Sequence, residues 1–294
     1  FESAPLEGFP KIHAEEWETG IYQPTPTIIE AALALYAGHS VEEISRSDSG
    51  AVNLSETSET VQKLIESAKL NHEKVICFIT GVPGSGKTLA GLNLAAPSIE
   101  EQRGVYLSGN GPLVDVLREA LSRDEIDRKK QQGEKLLKKE AHRKASAFIQ
   151  NIHHFRDEGL RTDAAPFEKI VVFDEAQRAW TQKNLASWMK EKKGIPNFEM
   201  SEPEFLLSYM DRHDDWCVVV CLVGGGQEIN KGEVGISEWL KAIKNRFPHW
   251  KVSISDAFPQ AEINRFSNDG DLVAEVQPQV YGGLHLKTSL RSFR

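Results

Sequence analysis

The stretch Gly81-Val-Pro-Gly-Ser-Gly-Lys-Thr88 decides the fold of this chain. The apolar run Val75-Ile-Cys-Phe-Ile79 comes just before it, and the helix-forming stretch Leu89-Ala-Gly-Leu-Asn-Leu-Ala95 follows it directly. A strand, a glycine loop and a helix with the spacing G-x-x-x-x-G-K-[ST] predict backbone N–H groups that wrap a phosphate chain at a helix N-terminus. We call residues 81–88 the glycine loop.

The side chains of the glycine loop predict a nucleoside triphosphate as its ligand. Lys87 can reach the β- and γ-phosphates, and the hydroxyl of Thr88 can bind Mg²⁺. The predicted cofactors are therefore ATP and Mg²⁺. The predicted nucleotide-binding residues are Gly81, Val82, Pro83, Gly84, Ser85, Gly86, Lys87, Thr88 and Leu89.

The composition is that of a soluble globular protein. The 294 residues are 40% hydrophobic and 27% charged, and the net charge is −8. This acidic balance argues against a surface that binds nucleic acid everywhere, but it is compatible with a local basic groove that binds nucleic acid. Cys77, Cys217 and Cys221 lie in apolar runs, which predicts buried thiols and a cytoplasmic location. No apolar run approaches the roughly 20 residues that cross a bilayer, so no membrane partner is expected.

Strand-like and helix-like stretches alternate along most of the chain. Each strand-like run is apolar and ends in polar residues, which is typical of a doubly wound, mainly parallel sheet with a ligand at its carboxyl edge. We therefore predict a RecA-like α/β lobe over residues 53–294, preceded by a helical extension at residues 1–52. The strand-like runs after the glycine loop are 104–108, 170–173, 216–223 and 251–255, and residues 284–294 could add a last one.

Two acids follow one of these runs. Asp174 and Glu175 come directly after Ile170-Val-Val-Phe173, at the strand end that a parallel sheet can bring beside the glycine loop. Asp174 is predicted to hold Mg²⁺ through its water shell, together with Thr88, and Glu175 to act as general base towards the attacking water. The alternative is an acidic cap after the strand that carries no chemistry.

Three further segments carry a resemblance to superfamily 1 helicases. Asp174-Glu-Ala-Gln177 resembles their motif II, Val223-Gly-Gly-Gly-Gln-Glu-Ile229 resembles motif III, and Leu286-Lys-Thr-Ser-Leu-Arg-Ser292 is similar to motif IV. The resemblance implies that Gln227 senses the γ-phosphate and that Arg291 reaches the terminal phosphate. With these two, the predicted catalytic residues are Lys87, Glu175, Gln227 and Arg291. Gly224-Gly-Gly226 departs from motif III, in which acidic residues usually precede the glutamine.

The same segments, read at greater length, resemble the DUF2075 proteins, the Schlafen group 3 type of DNA/RNA helicase domain, from about residue 55 onwards. This implies the ATP-binding and hydrolysing lobe of a helicase or translocase on single-stranded DNA or RNA, with phage defence as one setting. Motifs V and VI would belong to a second RecA-like lobe, in the full-length protein or a partner chain. Slow hydrolysis by this chain alone is therefore expected. The alternative function is an ATP-gated switch or scaffold that binds nucleotide without moving along nucleic acid.

For two groups of residues, the sequence is compatible with both a functional and a structural interpretation. Gln62 stands on a predicted helix where such helicases read adenine with a glutamine, and a surface helix residue is the alternative. Ser108, Asn110 and Ile152-His-His-Phe155 occupy places resembling motifs Ia and Ib, which line the strand path. For His153 and His154 the alternative is a strand-end histidine without a ligand.

Charged and aromatic residues add weaker signals. Residues 123–144 are rich in lysine and arginine but interleaved with acids, so a solvated helical face is favoured over nucleic-acid contact. Trp180, Trp188 and Trp239 stand at helix-like positions, where core packing is favoured over base stacking.

Overall fold

A computed structural model describes residues 26–44, 48–96, 104–224, 236–258 and 269–289. The described residues form eight strands, most of them fully buried aliphatic runs, as expected for strands covered on both faces. Their bounds are β1 (Lys74–Gly81), β2 (Gly104–Ser108), β3 (Ile149–Asn151), β4 (Ile170–Phe173), β5 (Cys217–Leu222), β6 (Lys251–Ile254), β7 (Gln279–Val280) and β8 (His285–Leu286).

Helices precede, connect and follow these strands. Several begin where the sequence supplies a cap: Thr27 and Glu30 form a capping box for the first helix, and Ser201 and Glu204 form another. The helices are α1 (Ile28–Tyr36), α2 (Val41–Ile44), α3 (Asp48–Asn71), α4 (Lys87–Ala95), α5 (Gly111–Gln131), α6 (Lys138–Phe148), α7 (Ile152–Arg161), α8 (Gln182–Trp188), α9 (Glu202–Met210), α10 (Ser237–Arg246) and α11 (Asp269–Glu275). Short 3-10 helices cover Ala176–Arg178 and Gly282–Leu284, and a π-helical turn, Met189–Lys193, continues α8.

The sheet is parallel throughout its described pairs. Its strand order is β3-β2-β4-β5-β1-β6-β7, and β8 pairs with the end of β1. Strand β5 therefore lies between β1, which leads into the glycine loop, and β4, which leads into Asp174. Both features consequently stand at the carboxyl edge of the sheet, one strand apart. The predicted parallel α/β sheet is confirmed, including a strand after residue 284.

Successive residues of a strand point to opposite faces of the sheet, and the apolar residues of these strands lie on both faces. Helices cover both of these apolar faces. On β1, Val75, Cys77 and Ile79 face one apolar cluster with α1, α3, α4, α5 and α6, while Ile76 and Phe78 face a second cluster with α7, α9, α10 and α11. The fold is thus doubly wound. All three cysteines are buried free thiols, as predicted.

The amino-terminal helices pack on the sheet as well. Ala31, Ala32 and Leu35 of α1 are buried in the first apolar cluster. Helix α3 runs from residue 48 to residue 71, so the predicted boundary between residues 52 and 53 falls inside one continuous helix. Across the described ranges, no helix combines the length and apolar character that a membrane span requires.

Candidate functional site

The glycine loop joins β1 to α4 through two residues in the left-handed region. Gly84 has φ +77° and Gly86 has φ +88°, conformations that residues with a Cβ seldom adopt. Gly86 is the N-cap of α4, so the loop curls directly over the N–H groups of the first helical turn. The motif glycines are therefore required by the backbone path.

The first glycine of the loop is needed for close approach. A Cβ at Gly81 would lie 2.6 Å from the Oγ of Ser85 and 2.8 Å from the Cβ of Leu286 on β8. The N–H of Val82 also donates to the carbonyl of Leu286 at 3.2 Å. Strand β8 thus packs against the first two residues of the glycine loop. The Ser85 hydroxyl is buried and has no hydrogen-bond partner among the described residues, and a phosphate oxygen is a suitable acceptor for it.

Lys87 lies between the loop and the two acids. Its Nζ donates to the carbonyls of Gly81 at 2.8 Å and Val82 at 3.1 Å. Burial lowers the pKa of Lys87, and the carboxylates of Glu175 and Asp174 oppose that shift. The ammonium group is therefore close enough to interact electrostatically with both acids.

Asp174 is held in register at the end of β4. Its N–H donates to the carbonyl of Leu107 at 2.9 Å, which extends the pairing of β2 with β4 by one residue. Burial raises the pKa of the Asp174 carboxyl to about 6, so a cation at this position would stabilise its charge. The described residues contain no cluster of three metal-binding side chains, but Mg²⁺ bound through water and phosphate needs only one or two protein ligands. Thr88 and Asp174 fit that requirement.

Glu175 takes an unusual backbone conformation. Its φ of +52° lies in the left-handed region, which costs a glutamate on the order of 1 kcal/mol or more. The turn ends the strand abruptly and starts the short 3-10 helix at Ala176. Such strain at the end of a buried strand is typical of functional sites.

A glutamine that the sequence reasoning left without a role holds Glu175 in place. The Nε2 of Gln177 donates a short hydrogen bond to Glu175 Oε2, and its Oε1 accepts from the N–H of Gly224 at 3.0 Å. Arg178 Nε lies 4.0 Å from the same carboxylate oxygen. A Cβ at Gly224 would lie 2.9 Å from both Gln177 Nε2 and Glu175 Oε2. The glycine that departs from motif III therefore makes room for this link between the ends of β4 and β5.

Leu89 and Gln62 are also predicted to bind nucleotide, and they lie on two different helices. Leu89 is buried on α4, whereas Gln62 lies on α3, where its Nε2 donates to Glu66 Oε1 at 3.2 Å. Gln62 Oε1 is buried without a partner among the described residues. Gln227 and Arg291 lie outside the described residues.

The proposed motif Ia and Ib positions also stand at the carboxyl edge. Ser108 ends β2 and is buried, with its Oγ accepting from the N–H of Asn110 at 3.2 Å. Asn110 caps α5 and is exposed. On α7, His153 stacks on Trp188 with ring centroids 5.9 Å apart, and His154 is exposed.

Two of the three tryptophans surround a buried ion pair. Arg156 and Glu202 pair at 2.9 Å with side chains 0% and 4% exposed. The Arg156 guanidinium lies 4.2 Å from the Trp188 ring centroid and 5.7 Å from that of Trp180. Core packing is confirmed for Trp239, whose indole donates to the carbonyl of Ala176, but Trp180 and Trp188 are only half-buried. A desolvated guanidinium attracts aromatic faces, which explains their position.

The charge-dense segment forms the end of α5 and the start of α6. Its bases pair largely with its own or neighbouring acids, so it resembles the expected solvated face. The pairs are Arg123 with Glu119, Arg128 with Asp124, Lys129 with Glu134, Lys138 with Glu119 and Lys144 with Glu125.

The fold and the site define a parallel α/β domain with a glycine loop at its carboxyl edge, the class to which P-loop proteins belong. The sequence profile of the Schlafen group 3 DNA/RNA helicase domain family matches residues 74–294, from the first residue of β1 onwards. The chain belongs to this family, which confirms the resemblance seen in its motifs.

Other comparisons add less. No curated protein matches the chain. The crystal structure of the Pyrococcus furiosus Hef helicase domain is similar, with 15% sequence identity and a TM-score of 0.34 over 66% of this chain and 37% of that one. The match thus spans less than half of the Hef structure.

Proposed function

We propose that this domain binds ATP with Mg²⁺ in the glycine loop and hydrolyses it within a DNA/RNA helicase or translocase. The observation that carries the proposal is the strand order, which places the glycine loop after β1 and Asp174 and Glu175 after β4 at the same edge of the sheet, with only β5 between them. A cation on the phosphate loop facing two carboxylates across one strand is the arrangement that phosphoryl transfer requires.

Each residue has a distinct role in this proposal. Thr88 and Asp174 hold Mg²⁺, which neutralises charge on the phosphates when it is bound. Ser85 and the loop N–H groups donate to phosphate oxygens, and Lys87 exchanges its backbone carbonyl acceptors for phosphate. Glu175 takes the proton of the attacking water, and Gln177 orients that carboxylate.

Three residues extend this proposal on the strength of the resemblance. Gln227 is proposed as the γ-phosphate sensor and Gln62 as the adenine reader. Arg291 is proposed to reach the terminal phosphate. In support, Ser289 Oγ donates to the carbonyl of Pro83 in the glycine loop at 3.4 Å. Arg291 follows two residues later, and two residues of extended chain span at most about 7 Å.

Single-stranded DNA or RNA is the proposed partner, in keeping with the family to which the chain belongs. The exposed side chains of Asn110 and His154 and the half-buried Trp188 lie at or near the carboxyl edge, the same side of the sheet as the glycine loop. Aromatic and small polar groups of this kind suit contact with unpaired bases. The basic residues at the end of α5 and the start of α6 are largely paired with acids, so that surface is less suited to binding nucleic acid.

Nucleotide binding is tested first, with Lys87→Ala. Binding of a fluorescent ATP analogue should weaken at least about a hundredfold, because the variant loses the charge that faces the phosphates. Lys251→Ala is the matched control, since Lys251 begins β6 at the amino edge, far from the loop. Equal binding by wild type and Lys87→Ala would refute the nucleotide site.

Turnover is tested with Glu175→Gln. This variant should keep nucleotide affinity and lose about a hundredfold or more in hydrolysis rate, because the amide cannot accept the proton. Glu73→Gln, before β1, should hydrolyse at the wild-type rate. Adding single-stranded DNA or RNA separates the two functions: strand-stimulated turnover supports the motor, and strand binding that ignores ATP supports the switch or scaffold.

A further inference from the structure

The strand next to β4 contains a tyrosine among aliphatic and small residues. Tyr106 lies in Gly104-Val-Tyr-Leu-Ser108, is 0% exposed, and pairs in register with Val172 of β4. Because Asp174 is two residues after Val172, its side chain projects from the same face of the sheet as Tyr106. That face is the one covered by α4, whose second residue is Thr88.

Close packing against α4 directs the tyrosine ring towards the site. A Cβ at Gly91 would lie 3.1 Å from Cε2 of Tyr106, so the helix leaves the ring just enough space. Gly91 and Thr88 are three residues apart and share one face of α4. The ring thus lies against Gly91, on the side of α4 that also carries Thr88.

The Tyr106 hydroxyl is buried and incompletely paired. No described residue gives it a hydrogen bond of ordinary geometry, although the Asp174 carboxylate and the Thr88 hydroxyl are near enough to interact with it. A buried hydroxyl without a partner costs free energy and calls for a functional explanation.

We propose that the Tyr106 hydroxyl positions the Mg²⁺-binding groups by accepting a hydrogen bond from Thr88 and donating one to Asp174. A threonine hydroxyl that offers a lone pair to a cation must direct its proton elsewhere, and the tyrosine oxygen is a suitable acceptor. The phenol proton in turn fixes one carboxylate oxygen of Asp174. Tyr106 is thus a positioning residue, and this inference rests on the proposed function because it takes Thr88 and Asp174 as the metal-holding groups.

The test is Tyr106→Phe in the complete 294-residue chain, which removes one oxygen and keeps the ring against Gly91. Binding of a fluorescent, non-hydrolysable ATP analogue is titrated with Mg²⁺ and repeated in EDTA. The Mg²⁺ concentration at half-saturation should rise about tenfold, as expected for losing hydrogen bonds to a charged group. Affinity in EDTA should stay within about twofold of wild type, since the phosphate contacts are unchanged.

Tyr209→Phe is the matched control. Tyr209 is 1% exposed and packs on Phe155 on the opposite face of the sheet, so its Mg²⁺ dependence should equal that of wild type. The ratio of affinities with and without Mg²⁺ is taken within each variant, so any general change in stability cancels.

The outcomes separate this inference from the proposed function. Equal Mg²⁺ half-saturation in Tyr106→Phe and wild type would overturn the inference and leave the nucleotide site intact. Weaker binding in EDTA to the same extent as with Mg²⁺ would also overturn it, since the tyrosine would then shape the loop and not the metal-holding groups. A wild-type chain without Mg²⁺-dependent nucleotide binding would overturn both.

Discussion

At the scale of single residues, the carboxylate of Glu175 is crowded on several sides. Gln177 donates to it, Arg178 lies 4.0 Å away, and Gly224 leaves the space into which it fits. Its own backbone is held in the left-handed region. The proposed base is therefore fixed by its neighbours, and a small steric change should displace it.

Gly224→Ala tests that fixation. The new Cβ would lie 2.9 Å from Glu175 Oε2 and Gln177 Nε2, so the carboxylate must move while the glycine loop stays in place. We expect the hydrolysis rate to fall about tenfold or more, with the dissociation constant of the nucleotide changed less than about twofold. Steady-state kinetics and equilibrium binding measure the two quantities. Gly109→Ala, where a Cβ meets nothing within 4 Å, should match wild type in both. An unaltered rate in Gly224→Ala would speak against Glu175 as the base.

At the scale of elements, helix α4 approaches the sheet more closely than a helix with a side chain at residue 91 could. A Cβ at Gly91 would lie 2.5 Å from Cδ1 of Leu222 on β5 and 3.1 Å from Cγ1 of Val172 on β4. Helix α4, which follows the glycine loop, therefore packs closely on both β5 and β4.

Gly91→Ala is expected to destabilise the fold. Alanine favours a helix by about 1 kcal/mol over glycine, but overpacking of a well-packed core costs about 1–3 kcal/mol. The net loss in the free energy of unfolding should be about 1 kcal/mol, measured by urea denaturation. Gly111→Ala, at the first residue of α5 with its closest contact at an ordinary 3.5 Å, should be neutral or slightly stabilising. A stabilised Gly91→Ala variant would show that helix and sheet separate without cost.

The elements themselves were largely predictable, and the contacts between them were not. Buried aliphatic runs such as residues 170–173 predict strands wherever they occur, and the glycine loop fixes its own strand and helix. Strand β8 is only two residues long, so periodicity gives it little signal. The roles of Gln177 and Tyr106 depend on which strands are adjacent, which local sequence does not encode. Trp180 and Trp188 were expected in the core. They are only half-buried, and their rings pack on the buried guanidinium of Arg156.

At the scale of the whole molecule, one side chain links several elements at the amino edge of the sheet, the edge opposite the glycine loop. Asp211, which caps α9, accepts hydrogen bonds from Lys74 at 2.9 Å, His249 at 2.7 Å and Trp250 at 2.9 Å. Lys74 begins β1, and Trp250 precedes β6. One carboxylate therefore joins three elements, and these bonds keep the pKa of Asp211 below its usual value even though burial alone would raise it.

The contribution of Asp211 should depend on pH. A carboxyl whose pKa is lower in the folded state stabilises the fold above its unfolded-state pKa of about 4, and this stabilisation is lost as the pH falls through the folded value. Asp211→Asn should therefore lower the free energy of unfolding by about 1 kcal/mol at pH 7 and by progressively less below about pH 4, in urea titrations. Asp215→Asn removes a more exposed partner of Lys169 and should change little at either pH. A loss for Asp211→Asn that stays constant with pH would point to packing alone.

Strand β8 has a consequence for the order in which the molecule can fold. His285 contacts Thr80 through a 2.8 Å hydrogen bond between side chains that are 205 residues apart in sequence, and Asn53 of α3 accepts from the N–H of Lys287 at 2.7 Å. Closing so long a loop is slow and entropically costly, so these contacts are expected to form after the local strand–helix units. During synthesis, residues 81–88 leave the ribosome long before their supporting strand. The glycine loop should therefore reach its final form only in one of the last steps of folding.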